Sequence, residues 1–404
     1  MSQKYELQAA RIEAVLSAHK VPARVWQATV TPRFVRFDVT TALGTRLNKV
    51  SGLAEELAFS LGAQATRVYR EGGVLHVEVA RDTPRAVELS GLCAKLSTVP
   101  PNCAVLGVDE GGVPLLLRLD SPDVAHVLLA GTTGSGKTAL LRTLLLSLAM
   151  HNHPGRLQLV LIDPKGRGLA DLTDLPHIWR PREWPADGGV VAGVAEAAGL
   201  LDLLVAEMVR RDAVRGSQPR LVVAIDELAD LLQAGGKGVG EALTRLTQRG
   251  REAGIHVVAA TQRPAAALVG GLVKANFPVR LVGSVVSPED AKVAAGVGGT
   301  GAERLLGRGD FLLVAKGQVI RFQAAYAGAS ELSAVVTQVR AGGRRRRSWQ
   351  GAGARGQESG ARGQASGVRG QESGVGSQGS GGGVSPGHRV TVSPSRGWLG
   401  EWAT

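Results

Sequence analysis

Eight residues constrain this 404-residue chain more than any other stretch: Gly131-Thr132-Thr133-Gly134-Ser135-Gly136-Lys137-Thr138. An apolar run at 124–130 leads into them, and a leucine-rich, helix-forming run at 139–150 leads away. The glycines let backbone N–H groups curl around one centre at a helix N-terminus, where phosphate oxygens are favoured. The spacing matches G-x-x-x-x-G-K-[ST]. In that pattern Lys137 reaches the β- and γ-phosphates of a nucleotide and the Thr138 hydroxyl ligates Mg²⁺. The plain alternative is a Gly-rich turn that happens to hold Lys-Thr, and the flanking elements weigh against it. A buried-type strand feeding a helix in this way also needs parallel neighbours to complete a core.

Those neighbours are visible over 104–338. Short apolar, β-branched runs at 157–162, 221–225, 255–260 and 279–285 alternate with helix-length segments. This pattern predicts an α/β fold with a mostly parallel sheet and helices on both faces. The run at 221–225 ends in Asp226-Glu227, at the sheet edge where this fold class binds ligands. There Asp226 is expected to hold the Mg²⁺ shell, and Glu227 to orient and deprotonate the attacking water. The ordinary reading of paired acids at such a place is a helix N-cap. Beside a phosphate loop, the pair points to hydrolysis. The run at 255–260 ends in Thr261-Gln262-Arg263-Pro264, which places an amide, Gln262, to sense the γ-phosphate. The run at 157–162 ends in Asp163-Pro164-Lys165-Gly166, equally a ligand-edge feature or a simple turn.

Residues 1–103 read as a small α+β unit. Leu7, Ile12, Val15 and Leu16 have helical spacing up to the Pro22 breaker, strands are expected at 25–31, 34–39 and 74–79, and a helix at 53–61 is stopped by Gly62. Residues 341–404 cannot build a core. They hold Arg344 to Arg347, a seven-residue repeat read three times over 354–374, and Ser-Pro-rich sequence, a composition expected to be disordered. Trp398 and Trp402 near the end suit a short docking peptide for a protein partner, or a plain terminus.

Nine Arg and three Glu beyond position 340 supply half of the net charge of +12. A mildly basic body with a basic tail suits a polyanion such as nucleic acid. Only 4% of residues are aromatic, which argues against recognition by broad stacking. Cys93 and Cys103 are the only cysteines, too few for a metal framework, and the polar N-terminus has no signal-like apolar core. No stretch approaches the roughly 18 apolar residues of a membrane helix. The expectation is a cytoplasmic protein with reduced thiols and no membrane insertion.

The ordered set LLAGTTGSGKT (128–138), LIDPKG (161–166), LPHI (175–178), EMVRR (207–211), VVAIDELADLL (222–232), REAGIHVVAATQRP (251–264), GLVKANFPVRL (271–281) and LLGRGDFLL (305–313) resembles the motor region of FtsK/SpoIIIE-type DNA translocases. The stretch at 47–68 is similar, more weakly, to the small domain that precedes the motor in that family. The resemblance implies a RecA-like P-loop motor over 104–340 behind a small α+β domain over 1–103. It further implies a hexameric ring around double-stranded DNA, with ATP and Mg²⁺ bound between subunits. A neighbour's arginine would face the developing charge; Arg251 and Arg280 match motif positions, with intra-subunit salt bridges as the alternative. Lys274, Arg304 and Arg308 would face the pore and touch DNA phosphates without reading bases. The membrane-anchoring segment and the C-terminal winged-helix module of many members are not seen here, and the match weakens at 287–292. A septum role is therefore not expected, nor sequence-guided direction unless a partner or the basic tail substitutes. The competing class is the motor ATPase of a protein-secretion machine, which shares the fold and related motifs. A non-catalytic DNA clamp would be expected to have lost Lys137 or Glu227.

Overall fold

The computed structural model describes residues 3–342, apart from 43, 72, 83–84, 183–188, 265–270 and 272–275. The tail with its repeats and tryptophans, and Lys274, lie outside the described residues.

The N-terminal part is one antiparallel sheet against helices. Helix α1 (Gln3–Ala18) precedes β1 (Ala23–Val30) and β2 (Phe34–Thr41), and α2 (Leu47–Ser51) and α3 (Ala54–Leu61) precede β3 (Thr66–Glu71) and β4 (Val74–Ala80). The strand order is β1-β2-β4-β3. Period-2 alternation along β2 buries Val35, Phe37 and Val39 against Ile12 and Leu16 of α1 and Leu57 of α3. The left-handed Gly62 ends α3 as its sequence position suggested.

Everything later builds one eleven-stranded sheet. Beyond β5 (Val87–Glu88) and α4 (Leu89–Cys93), its strands are β6 (Cys103–Asp109), β7 (Pro114–Arg118), β8 (Val127–Ala130), β9 (Leu157–Ile162), β10 (Val190–Val191), β11 (Arg220–Asp226), β12 (Ile255–Thr261), β13 (Val279–Val282), β14 (Asp310–Ala315) and β15 (Gln318–Tyr326). The order β10-β9-β11-β12-β8-β13 is parallel throughout. Past β13 the sheet turns antiparallel through β14, β15, β6 and β7, with β5 alongside β15.

The helices are α5 (Lys137–His151), α6 (Val194–Val214), α7 (Leu228–Arg249), α8 (Pro288–Ala295) and α9 (Ala329–Gly342). The central strands are buried on both faces, and alternate residues serve different layers. In β11, Val222 and Ala224 pack with α5 and α9, while Leu221, Val223 and Ile225 pack with α6, α7 and α8. Helix α5 has apolar residues all round because it is covered on both sides, and each buried leucine there is worth about 1.5–3 kcal/mol over exposure. The weakly matching segment at 287–292 starts an N-capped helix: Ser287 accepts the Asp290 N–H, with Pro288 in the first turn. Both cysteines are buried free thiols, and burial raises each to about 12. Among the described residues no helix is long and apolar enough to cross a membrane.

Candidate active site

Strand order decides what meets at the sheet's C-terminal edge. β12 lies between β8, which carries the phosphate loop, and β11, which carries the acids. The loop takes left-handed backbone at Gly134 (φ 84°) and Gly136 (φ 102°), conformations that favour glycine. Lys137 is buried and its Nζ donates to the Thr132 carbonyl at 2.8 Å. Burial pulls its pKa down, against the opposing charges of Glu227 and Asp226.

The Thr138 hydroxyl sits 3.0 and 3.1 Å from the two carboxylate oxygens of Asp226. Burial raises the Asp226 pKa, and the charges of Asp163 and Glu227 push the same way against the Thr138 hydrogen bond. Glu227 follows in left-handed backbone (φ 82°), a strained position for a non-glycine residue. Its carboxylate accepts from the Thr261 hydroxyl at 3.1 Å and the Gln262 N–H at 3.2 Å. Gln262 closes the circuit: its Oε1 accepts the Thr133 hydroxyl at 2.7 Å. The structure thus brings Thr133, Lys137, Thr138, Asp226, Glu227 and Gln262 together across three strand ends.

The chemistry of this set fits a magnesium nucleotide. A hydroxyl and a carboxylate oxygen face one point, both hard donors of the kind Mg²⁺ accepts beside phosphate and water oxygens. A cradle of N–H groups and an ammonium stand next to it.

Several supports surround this set. Asp163 is fully buried, and its carboxylate accepts from the N–H groups of Lys165 (3.0 Å), Gly168 (2.6 Å) and Leu169 (3.3 Å). This ties the loop after β9 down so that Gly168 lies on the Asp226 carboxylate; a Cβ at 168 would stand 2.3 Å from Oδ2. Gly283 lies equally close to Ser135, where a Cβ would be 2.8 Å from that residue's own Cβ. The segment before β14 braces the phosphate loop, with Arg308 N–H on the Gly134 carbonyl at 3.1 Å and Gly309 N–H on Ser135 at 2.9 Å. The sequence marked Asp163 at its strand end, as a ligand-edge feature or a turn, but for Gly168 and Gly283 it offered only the glycine itself.

The arginines named from the sequence stand elsewhere. Arg251 precedes β12, at the sheet edge opposite the phosphate loop, and is exposed, donating to the Pro122 carbonyl at 3.1 Å. Arg280 is buried on β13 and turns onto the last carbonyls of α8, Val293 at 3.4 Å and Ala294 at 3.5 Å. Burial lowers its pKa. Neither touches the phosphate loop of its own chain in any hydrogen bond described. Arg304 is 81% exposed beside Glu303. Arg308 is exposed and adjoins the phosphate loop through its backbone.

The FtsK/SpoIIIE family model matches residues 96–216 and 214–266, and the FtsK alpha domain matches 1–79. The chain belongs to the FtsK/SpoIIIE family. It is 33% identical over 358 residues to DNA translocase SftA of Bacillus subtilis, covering 81% of this chain and 36% of that protein. It is 31% identical over 360 residues to DNA translocase FtsK of Staphylococcus epidermidis, covering 81% and 44%. The chain therefore spans less than half the length of these two relatives. Among solved structures, the cytoplasmic domain of the type VII secretion ATPase EccC of Thermomonospora curvata superposes with a TM-score of 0.53 at 26% identity, covering 63% of this chain and 34% of that one. The pCW3 conjugation coupling protein TcpA gives a TM-score of 0.52 at 19% identity, covering 83% and 99%, a likeness of fold. The matched ranges contain Thr133, Lys137, Thr138, Asp226, Glu227 and Gln262.

Proposed function

We propose that this chain is an ATP-driven translocase of double-stranded DNA that works as a hexameric ring in the cytoplasm. One observation carries the reading: in a family whose named relatives are DNA translocases, Thr138 pairs with Asp226 while Glu227, at the same strand end, is held by Thr261 and Gln262 of the strand between. ATP with Mg²⁺, when bound, supplies the phosphoryl group and offsets its charge. Lys137 and the N–H groups of 131–138 hold the phosphates, and Thr138 and Asp226 hold the metal. Glu227, released from Thr261 and Gln262, orients water and takes its proton. Gln262, hydrogen-bonded to Thr133, reports whether the loop is filled.

Exposure and position support Arg251 as the arginine offered to a neighbour's nucleotide. Arg280 is committed to α8 within its own subunit. Arg304 is free enough to follow DNA phosphates, a contact that weakens with salt. Arg308 belongs more naturally to the nucleotide side. The division we favour is a small α+β domain and a RecA-like motor ending near 340, with β5 and α4 assigned to the motor although the boundary expected from the sequence lies at 103.

The test is ATP hydrolysis with and without long duplex DNA, together with displacement of a third strand from a duplex track. Hydrolysis indifferent to duplex, or unchanged in Lys137→Ala, sinks the proposal. The likeness to a secretion ATPase supports a second reading, a motor acting on protein cargo. Stimulation by a peptide and not by duplex would favour it.

A further inference from the structure

We propose that Arg33, in the small N-terminal sheet, is a positioning residue for the phosphate loop and thereby sets nucleotide affinity. The inference rests on the ATP-binding reading above and goes beyond it by making the small domain part of the nucleotide site.

Arg33 is presented by a stiff hairpin. Between β1 and β2, Thr31 N–H bonds the Phe34 carbonyl at 2.9 Å and Phe34 N–H returns to the Thr31 hydroxyl at 3.0 Å. Arg81 clamps the same turn, its N–H on the Arg33 carbonyl at 2.8 Å and its guanidinium on the Thr31 carbonyl at 2.9 Å. From this turn the Arg33 guanidinium crosses to the large sheet. There it donates to the carbonyls of Gly307 and Arg308, the latter at 3.2 Å, and to Gln323 Oε1 at 3.4 Å.

The segment it grips is a two-sided bridge. Its carbonyls face Arg33, while its N–H groups at 308 and 309 hold the carbonyls of Gly134 and Ser135. Those phosphate-loop carbonyls must point outward for the loop's N–H groups to point inward at phosphate. The bridge does not hold its own shape. Gly307, Arg308 and Gly309 are consecutively left-handed (φ 68°, 48° and 91°), and Arg308 carries the penalty of a non-glycine residue there. Packing does not fix it on every side either. A cavity of about 330 Å³ lies beside it, walled by Arg33, Ala139 and Leu140 of α5 and Ala324 and Ala325 of β15. What remains is hydrogen bonding: the phosphate loop, the Asp310 carboxylate on the Leu306 N–H at 3.0 Å, the Ala324 N–H on the Gly309 carbonyl at 2.7 Å, and Arg33 on the carbonyls of 307 and 308.

The test is titration of the full-length protein with a fluorescent ATP analogue and Mg²⁺, alongside steady-state kinetics and thermal melts. Arg33→Ala is expected to weaken binding about tenfold, the scale of one charge-assisted hydrogen bond, raising KM with little change in kcat. Arg33→Lys should recover part of the loss. Arg67→Ala is the control: it removes another tie between the two sheets, Arg67 to Glu110 at 3.2 Å, without touching the bridge, and should leave affinity unchanged. Unaltered binding in Arg33→Ala overturns the inference. An equal loss in Arg67→Ala also overturns it, because sheet docking alone would then explain the effect. Failure of the unaltered chain to bind the analogue defeats the ATP reading itself, and the inference with it.

Discussion

Replacing Gly168 by alanine should disable magnesium-dependent hydrolysis while leaving the fold standing. Position 168 is not left-handed, so alanine meets no backbone penalty there, and the effect is one of space. The added Cβ would lie 2.3 Å from Asp226 Oδ2 and 2.8 Å from Thr138 Cγ2, where ordinary contacts begin at 3.4 Å. About 1 Å must therefore be found. Gly168 cannot supply it cheaply, because its N–H is held by the buried Asp163 at 2.6 Å and the loop carries two more bonds to that carboxylate. The Asp226 backbone cannot supply it either, since β11 is paired on both sides. The carboxylate is left to rotate off Thr138. A misplacement of that size near a reacting centre costs roughly 10²-fold in rate, whereas overpacking costs about 1–3 kcal/mol of stability. The assay is ATPase rate against Mg²⁺ concentration at saturating ATP, with a denaturant melt of the same protein. A variant with the parental rate and Mg²⁺ dependence would refute the claim that Gly168 holds Asp226 on Thr138.

Glu227→Gln should keep nucleotide affinity and lose roughly 10²–10⁴-fold in turnover, as expected for loss of a proton acceptor; equal losses in binding and turnover would contradict that role. Asp226 has a raised pKa, so its ionised form costs stability at neutral pH, and acidification through the folded pKa relieves that cost. Mg²⁺ needs the ionised form. The gain in Tm from Mg²⁺ plus a non-hydrolysable ATP analogue should thus fade at a higher pH than an ordinary carboxylate would give, relative to Asp226→Asn as baseline; parallel pH profiles would count against this. Arg321 is held in its charged form against burial by Asp310 at 2.9 Å and Glu78 at 2.8 Å, both buried. Arg321→Met leaves those carboxylates uncompensated, and a loss of about 3–5 kcal/mol in denaturant unfolding is expected; a shift below about 1 kcal/mol, the scale of an exposed pair, would be incompatible.

What the sequence disclosed was whatever chemistry writes locally. The phosphate loop depends on glycine spacing within eight residues, and Asp226 and Glu227 declare themselves by following an apolar run. The parallel half of the large sheet, apart from the two-residue β10, was legible for the same reason, because its strands are short apolar runs. The antiparallel half was not, since β6 pairs with β15 from about two hundred residues away in sequence and carries β7 in with it. Contacts across such distances also hid Gly168, Gly283 and Arg33. Arg280 shows the opposite limit. Its motif position suited a trans arginine or a contact within the subunit, and what the sequence did not show is the left-handed Gly296, which leaves room for the guanidinium at the end of α8.

The place of β12 has a consequence for distance. Strands in a sheet lie about 4.8 Å apart, so one strand between β8 and β11 holds their ends near 10 Å from one another. Adjacent placement would press a carboxylate against phosphate oxygens, and the like charges would repel. On the proposed ATPase reading, the intervening strand leaves room for a reacting group and an attacking water. It also puts the Thr261–Gln262 end at the midpoint of that gap, tied to Thr133 on one side and to Glu227 on the other.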